Sequence, residues 1–192
     1  MRRVARLAVA ALVMLSAALT AAAPTLAAAP SEALLAELQL VPGRGATPPA
    51  LSLPDLDGRT VSLAGLRGQV VLVYFWATWC PYCVRELPST IESLQRRYRD
   101  QGLTVLAVNF EERREKVSAW VRARGLSMPV LLDADGDVSG DYRVTATPTA
   151  VLLDREGRVV GRAVGTRPWT GARARPLWDA LLMPPAGLPA PR

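Results

Sequence analysis

An uninterrupted apolar run, Val70-Val71-Leu72-Val73-Tyr74, leads straight into Phe75-Trp76-Ala77-Thr78-Trp79-Cys80-Pro81-Tyr82-Cys83, and this segment holds the only two cysteines of the chain. The pattern predicts a strand that feeds a helix opening at the first thiol. Unpaired backbone N–H groups and the helix dipole at such an opening favour a thiolate over a thiol. On this reading Cys80 is the nucleophile and Cys83 the resolving thiol.

Two blander uses of the pair fit less well. A structural bridge across a four-residue loop contributes about 2 kcal/mol by chain entropy, against about 3 for fifteen residues, so it is a poor staple. A metal site fares worse. Two cysteines supply half of a tetrahedral set, and the chain has no histidine to complete it. No metal and no cofactor are expected. The missing histidine also argues against Cys-His hydrolase chemistry.

With 192 residues, half of them hydrophobic, the chain can bury one ordinary core, so one catalytic domain is expected. The formal charge of +6 invites a nucleic-acid reading, yet Arg2, Arg3 and Arg6 lie in the extreme N-terminal segment. The other arginines are scattered among acids, as in Glu111-Glu112-Arg113-Arg114-Glu115-Lys116, without a basic tract interleaved with aromatics. No nucleic-acid partner is expected.

That basic start is followed by the apolar stretch Leu7 to Leu19 and then by alanine-rich sequence, the pattern of an export signal over residues 1–29. Ala27-Ala28-Ala29 and Thr25-Leu26-Ala27 are alternative cleavage patterns, and Pro30 follows the first. An uncleaved membrane anchor is the other reading. Its apolar span sits at the short end of the roughly 17 to 25 residues that cross a bilayer. Either way the domain is expected in the periplasm or another extracytoplasmic space, free or held at the inner membrane.

Beyond the signal, Ser31 to Leu40 reads as a short helix and Val41 to Ala50 as a Pro/Gly-rich linker, so residues 30–50 precede a domain over 51–183. Leu51 to Leu56 and Arg59 to Leu63 flank Asp57-Gly58, which suits a tight hairpin turn. From Cys80 a helix should run to about Arg99, with Leu87, Ile91, Leu94 and Tyr98 on one face and a kink at Pro88. Leu103 to Asn109 is a second strand, Arg114 to Arg124 a helix, and Val130-Leu131-Leu132 and Thr149 to Leu153 are further strands. A turn at Asp154 to Gly157 leads into Arg158 to Val164. A last helix covers Gly171 to Leu182, with Pro176 inside it, and residues 184–192 form a frayed tail. Strands alternating with helices and closing in a hairpin give an α/β sandwich with a mixed central sheet.

Trp76, Trp79, Cys80 and Cys83 after a buried strand, Pro88 five residues past the second cysteine, and Thr147-Pro148 together resemble a thioredoxin-fold active site. The hairpin at Leu56 to Leu63, the segment Leu66-Arg67-Gly68-Gln69 and the insertion from Asn109 to Gly125 are similar to the TlpA/ResA-like branch, over about Pro54 to Trp169. The resemblance implies a thioredoxin-like sandwich with an N-terminal β-hairpin extension. It also implies an exported thiol-disulfide oxidoreductase acting on disulfide-containing polypeptides and fed by a membrane electron donor. Several members of the branch reduce apocytochrome c before haem attachment. Pro148 would then be a cis-proline beside the dithiol, and Trp79, Pro81, Tyr82, Thr147 and Pro148 would border the substrate groove.

Two departures from the family bear on proton transfer and redox direction. Where thioredoxins carry a buried aspartate before the Phe-Trp pair, this chain has Tyr74. Alignment with the ResA-like branch puts Glu112 near the dithiol, where it would accept the proton of Cys83 if desolvation raised its pKa; a solvated loop glutamate is the alternative. Pro81-Tyr82 reproduces the glutaredoxin pair rather than the branch's usual dipeptide, which leaves a thiol oxidase or disulfide isomerase open beside a reductase. A non-enzymatic metal-chaperone module is the remaining reading, against which stand the short cysteine spacing and the absent histidine.

Overall fold

The computed structural model describes residues 30–183; the expected export segment and C-terminal tail lie outside them. Among the described residues, eight strands and six α-helices form in chain order: α1 (Glu32–Glu37), β1 (Val41–Ala46), β2 (Ser52–Pro54), β3 (Thr60–Ser62), β4 (Val70–Trp76), α2 (Pro81–Glu86), α3 (Glu92–Tyr98), β5 (Leu103–Phe110), α4 (Arg114–Arg122), β6 (Val130–Asp133), α5 (Asp137–Asp141), β7 (Thr149–Leu153), β8 (Val159–Val164) and α6 (Arg175–Leu182). Six strands make one mixed sheet in the order β1-β8-β7-β4-β5-β6. β4 pairs parallel with β5 and antiparallel with β7, so the strand that ends at the dithiol lies inside the sheet.

Every residue of β4 is buried, which explains why its sequence is a continuous apolar run rather than an alternation. Its side chains divide by parity. Val70, Leu72, Tyr74 and Trp76 join a core with Leu35, Ile91, Leu94, Val117 and Leu177, while Val71, Val73 and Phe75 join a second core with Leu53, Leu106, Leu131 and Tyr142. The sheet is thus covered on both faces. Among the described residues no helix is long and apolar enough to cross a membrane.

The expected hairpin forms between β2 and β3, with Leu53 opposite Val61. Its turn is wider than a two-residue one. Only Gly58 takes a positive φ, +87°, and the Asp55 carboxylate closes the loop by accepting from the backbone N–H groups of Asp57 and Arg59 at 2.9 and 2.8 Å.

Two expectations, on the linker and on the start of α6, need correction. Val41–Ala46 is an edge strand on β8, not a linker. Pro42 is tolerated at an edge, where a missing N–H costs no interior ladder bond, and Gly43 is required because a Cβ there would clash with Val159 Cγ1 and the Val159 carbonyl. The helix expected from Cys80 to about Arg99 runs without a gap as α2, a π turn at Leu87–Ile91 and α3. Pro88 lies in that turn, so the kink is a wider helical turn where proline cannot donate. Finally, α6 begins at Arg175 rather than Gly171, which leaves Pro176 in its first turn, where a missing N–H is harmless.

Helix α5 had no apolar periodicity to announce it. Asp133 holds it, accepting from the N–H groups of Val138 and Ser139 at 3.2 and 2.7 Å.

Candidate active site

The end of β4 delivers Ala77-Thr78-Trp79 to the start of α2, where Cys80 is the N-cap residue and Pro81 opens the first turn. The backbone N–H of Cys83 donates to Cys80 Sγ at 3.1 Å, a bond that favours negative charge on that sulfur. The two cysteines are joined as a disulfide with their Cα atoms 5.2 Å apart. Both are buried, whereas Trp79 and Tyr82 beside them are 60% and 58% exposed. Two large aromatic faces therefore flank the disulfide at the surface.

The opposite wall comes from the segment before β7. The Thr147-Pro148 peptide is cis, and the carbonyl oxygen of Thr147 lies 3.4 Å from Cys80 Sγ. Thr149 Oγ1 donates to the Ala146 carbonyl at 2.7 Å, and Gly165 N–H to the Pro148 carbonyl at 2.7 Å, which fix this segment to the sheet and to the chain leaving β8. The residues expected to line one site, Trp79, Cys80, Pro81, Tyr82, Cys83, Thr147 and Pro148, thus sit on two facing segments.

Glu112 also joins this region, but not in the expected electrostatic state. It is buried rather than a solvated loop residue, and its carboxylate accepts from Thr78 N–H and Thr78 Oγ1 at 2.6 Å each, Asn109 Nδ2 at 2.9 Å and Lys116 Nζ at 2.6 Å. Burial pushes its pKa up, yet the donors at Lys116, Thr78 and Asn109 outweigh it and hold the carboxyl below its ordinary value. The expectation that desolvation raises Glu112 is therefore corrected. The carboxylate fastens the loop two residues before Cys80.

A second buried acid escaped the sequence reading. Glu86 lies three residues past Cys83 on α2, so the two share a helix face. It accepts from Tyr74 Oη at 2.8 Å and from the Arg167 N–H at 2.9 Å. Burial raises its pKa, and these two neutral donors together with the Arg167 charge only partly offset the rise. Tyr74, in the place of the family's aspartate, has its own pKa raised by burial and by the adjacent Glu86. The missed signal was an acid on the apolar stripe that runs through Cys83 and Leu87.

Among the described residues there is no cluster of three or more acidic, cysteine or histidine side chains suited to a metal ion. Chemically, the arrangement offers a sulfur at a helix start, a second sulfur within bonding reach, and one buried carboxyl with raised proton affinity.

The chain is similar to known proteins. The Redoxin family matches residues 44–181. Thiol-disulfide oxidoreductase ResA of Bacillus subtilis (strain 168) is 34% identical over 122 residues, covering 64% of this chain and 68% of that protein. ResA of Geobacillus thermodenitrificans (strain NG80-2) is 38% identical over 122 residues, covering 64% and 70%. Among solved structures, a candidate thiol:disulfide interchange protein DsbE from Chlorobium tepidum superposes with a TM-score of 0.64 at 31% identity, covering 71% of this chain and 96% of that one.

Proposed function

The chain belongs to the Redoxin family and to its ResA-like thiol-disulfide oxidoreductases, and from that premise we propose that it works outside the cytoplasm as a reductant of disulfides in exported polypeptides. Apocytochrome c before haem attachment is one such substrate. The observation that carries the reading is the position of Cys80, with its sulfur accepting the Cys83 N–H at a helix start and facing the Thr147 carbonyl. Export rests on the basic start and apolar stretch of residues 1–29, as signal or retained anchor. The catalytic unit is taken as residues 51–183 with β1 added at its edge.

In the reduced protein the Cys80 thiolate attacks one sulfur of the substrate disulfide. A Cys80–substrate disulfide forms and the other substrate sulfur leaves as thiolate. Cys83 then loses its proton and attacks Cys80 Sγ. The second substrate sulfur is released, the substrate has gained two electrons, and the Cys80–Cys83 disulfide remains for a membrane-bound dithiol donor to reduce. Glu86, with its raised proton affinity and its place one turn beyond Cys83, suits the proton-accepting role better than Glu112. Glu112 instead holds Thr78, and through it the approach to Cys80. Trp79, Pro81, Tyr82, Thr147 and Pro148 border the groove for the substrate chain.

The test is reduction of a peptide disulfide by the reduced protein and its variants. Cys80→Ala should abolish turnover and Cys83→Ala should accumulate the mixed disulfide; full activity in Cys80→Ala overturns the mechanism. The reduction potential tests the direction. A value near thioredoxin's, about −270 mV, is expected, and one near DsbA's, about −120 mV, would make the protein an oxidant instead.

A further inference from the structure

A cleft of about 440 Å³ opens between α2 with the turn that follows it and the chain leaving β8, with Tyr82 of the Cys80–Cys83 segment in its lining. Tyr82, Arg85, Glu86 and Ser89 line one side; Thr166 and Arg167 line the other. Tyr82, Arg85, Glu86 and Ser89 follow helical spacing, so they form one stripe that runs away from Cys80. The opposite wall is tied to the groove itself, because Gly165 bonds to the Pro148 carbonyl.

The cleft's charge is largely uncommitted and positive. Arg85 is exposed, stacks 5.3 Å from the Tyr82 ring centroid and, among the described residues, has no ion pair. Arg167 has none either. Its terminal nitrogens reach only the Thr166 and Gln39 carbonyls, at 2.7 and 3.5 Å, while its Nε is buried with no hydrogen-bond partner. Glu86 answers part of the Arg167 charge, but both its oxygens are already engaged, by Tyr74 and by the Arg167 backbone. Two arginines thus line a cleft whose single acid is occupied, a setting that suits an incoming carboxylate.

Reach sets where that carboxylate must lie. Arg85 stands five residues along α2 from Cys80, about 7.5 Å of helix axis. An extended polypeptide advances about 3.3 Å per residue, so a substrate bonded to Cys80 would bring a residue two or three positions from its cysteine to the cleft. We propose that this cleft is a specificity subsite for an aspartate or glutamate two to three residues from the substrate cysteine. The assignment rests on the disulfide-reducing function proposed above.

Three peptide disulfides test it, identical except for Glu, Gln or Lys at the second and third positions on either side of the cysteine. With the full-length reduced protein, kcat/KM for the Glu peptide should exceed that for the Gln peptide about fivefold at low salt, with Lys below both and the spread closing at high salt. In the double variant Arg85→Ala/Arg167→Ala the Glu-to-Gln ratio should fall to about one. The Arg167 backbone N–H that holds Glu86 survives that change. Arg122→Ala, an exposed charge remote from the cleft, should leave the ratio intact. Equal rates for Glu and Gln peptides in the natural protein overturn the subsite, as does a preference that persists in the double variant or falls equally in Arg122→Ala. If none of the three peptides is reduced, the function fails rather than the subsite.

Discussion

Glu86 and Glu112 are buried to nearly the same degree, 6% and 7% exposed, yet their proton affinities move in opposite directions. Burial raises both. Their partners differ: two neutral donors and the nearby Arg167 charge at Glu86, but three neutral donors and the directly bonded Lys116 ammonium at Glu112. The consequence is a division of labour. One carboxyl is left able to hold a proton near Cys83, and the other is locked as an anion that holds the loop before Cys80.

The sharpest way to break this contrast is Glu112→Ala. It leaves Thr78, Asn109 and Lys116 without their acceptor, and should cost about 3 kcal/mol in urea unfolding. A loss under about 1 kcal/mol would mean that the loop does not depend on the carboxylate. At the other acid, Tyr74→Phe removes one of two donors and should cost about 1 kcal/mol while raising the proton affinity of Glu86 further. Infrared titration of the protonated carboxyl band would follow that rise, and an unmoved band would show that Tyr74 does not tune it.

A smaller effect, read as a slope, is the pH dependence of stability. The raised Glu86 makes the native state bind more protons than the unfolded chain above the ordinary value of 4.5, so its contribution is lost as pH rises through the native value. The lowered Glu112 does the reverse, and its contribution is lost as pH falls below 4.5 through the native value. Unfolding midpoints from pH 3 to 8 should therefore flatten on the alkaline side in Glu86→Gln and on the acid side in Glu112→Gln. Flattening of the same limb by both would erase the distinction. The mildest test is Lys116→Met, since Lys116 is 57% exposed and should contribute only about 0.5 kcal/mol.

The legible parts of the molecule are those where one local pattern decides. The continuous burial of β4 is written as an apolar run, and the helix start at Cys80 follows from its end. The kink at Pro88 was legible for the same reason, because a missing N–H acts on its own turn. Strand β1 was not, since prolines and glycines that look like a linker become a strand only through the partner edge of β8, over a hundred residues later. Helix α5 was hidden likewise, held by Asp133 rather than by a stripe. At the site, the identity of the two sulfurs and the flanking Pro148 were readable, but the opposite pKa shifts of Glu86 and Glu112 were not. Those depend on donors from Tyr74, Thr78 and Arg167, which no spacing around either glutamate reveals.

Thr78 meets its acceptor thirty-four residues downstream, Cys80 meets the Thr147 carbonyl sixty-seven downstream, and Glu86 meets Arg167 eighty-one downstream. During synthesis the two cysteines emerge before all of these partners, and each contact must wait for a long loop to close. A half-made chain consequently lacks Glu112 opposite Thr78, the Arg167 N–H on Glu86 and the carbonyl opposite the first sulfur. The surroundings of the dithiol are therefore complete only once β7 and the chain leaving β8 are in place.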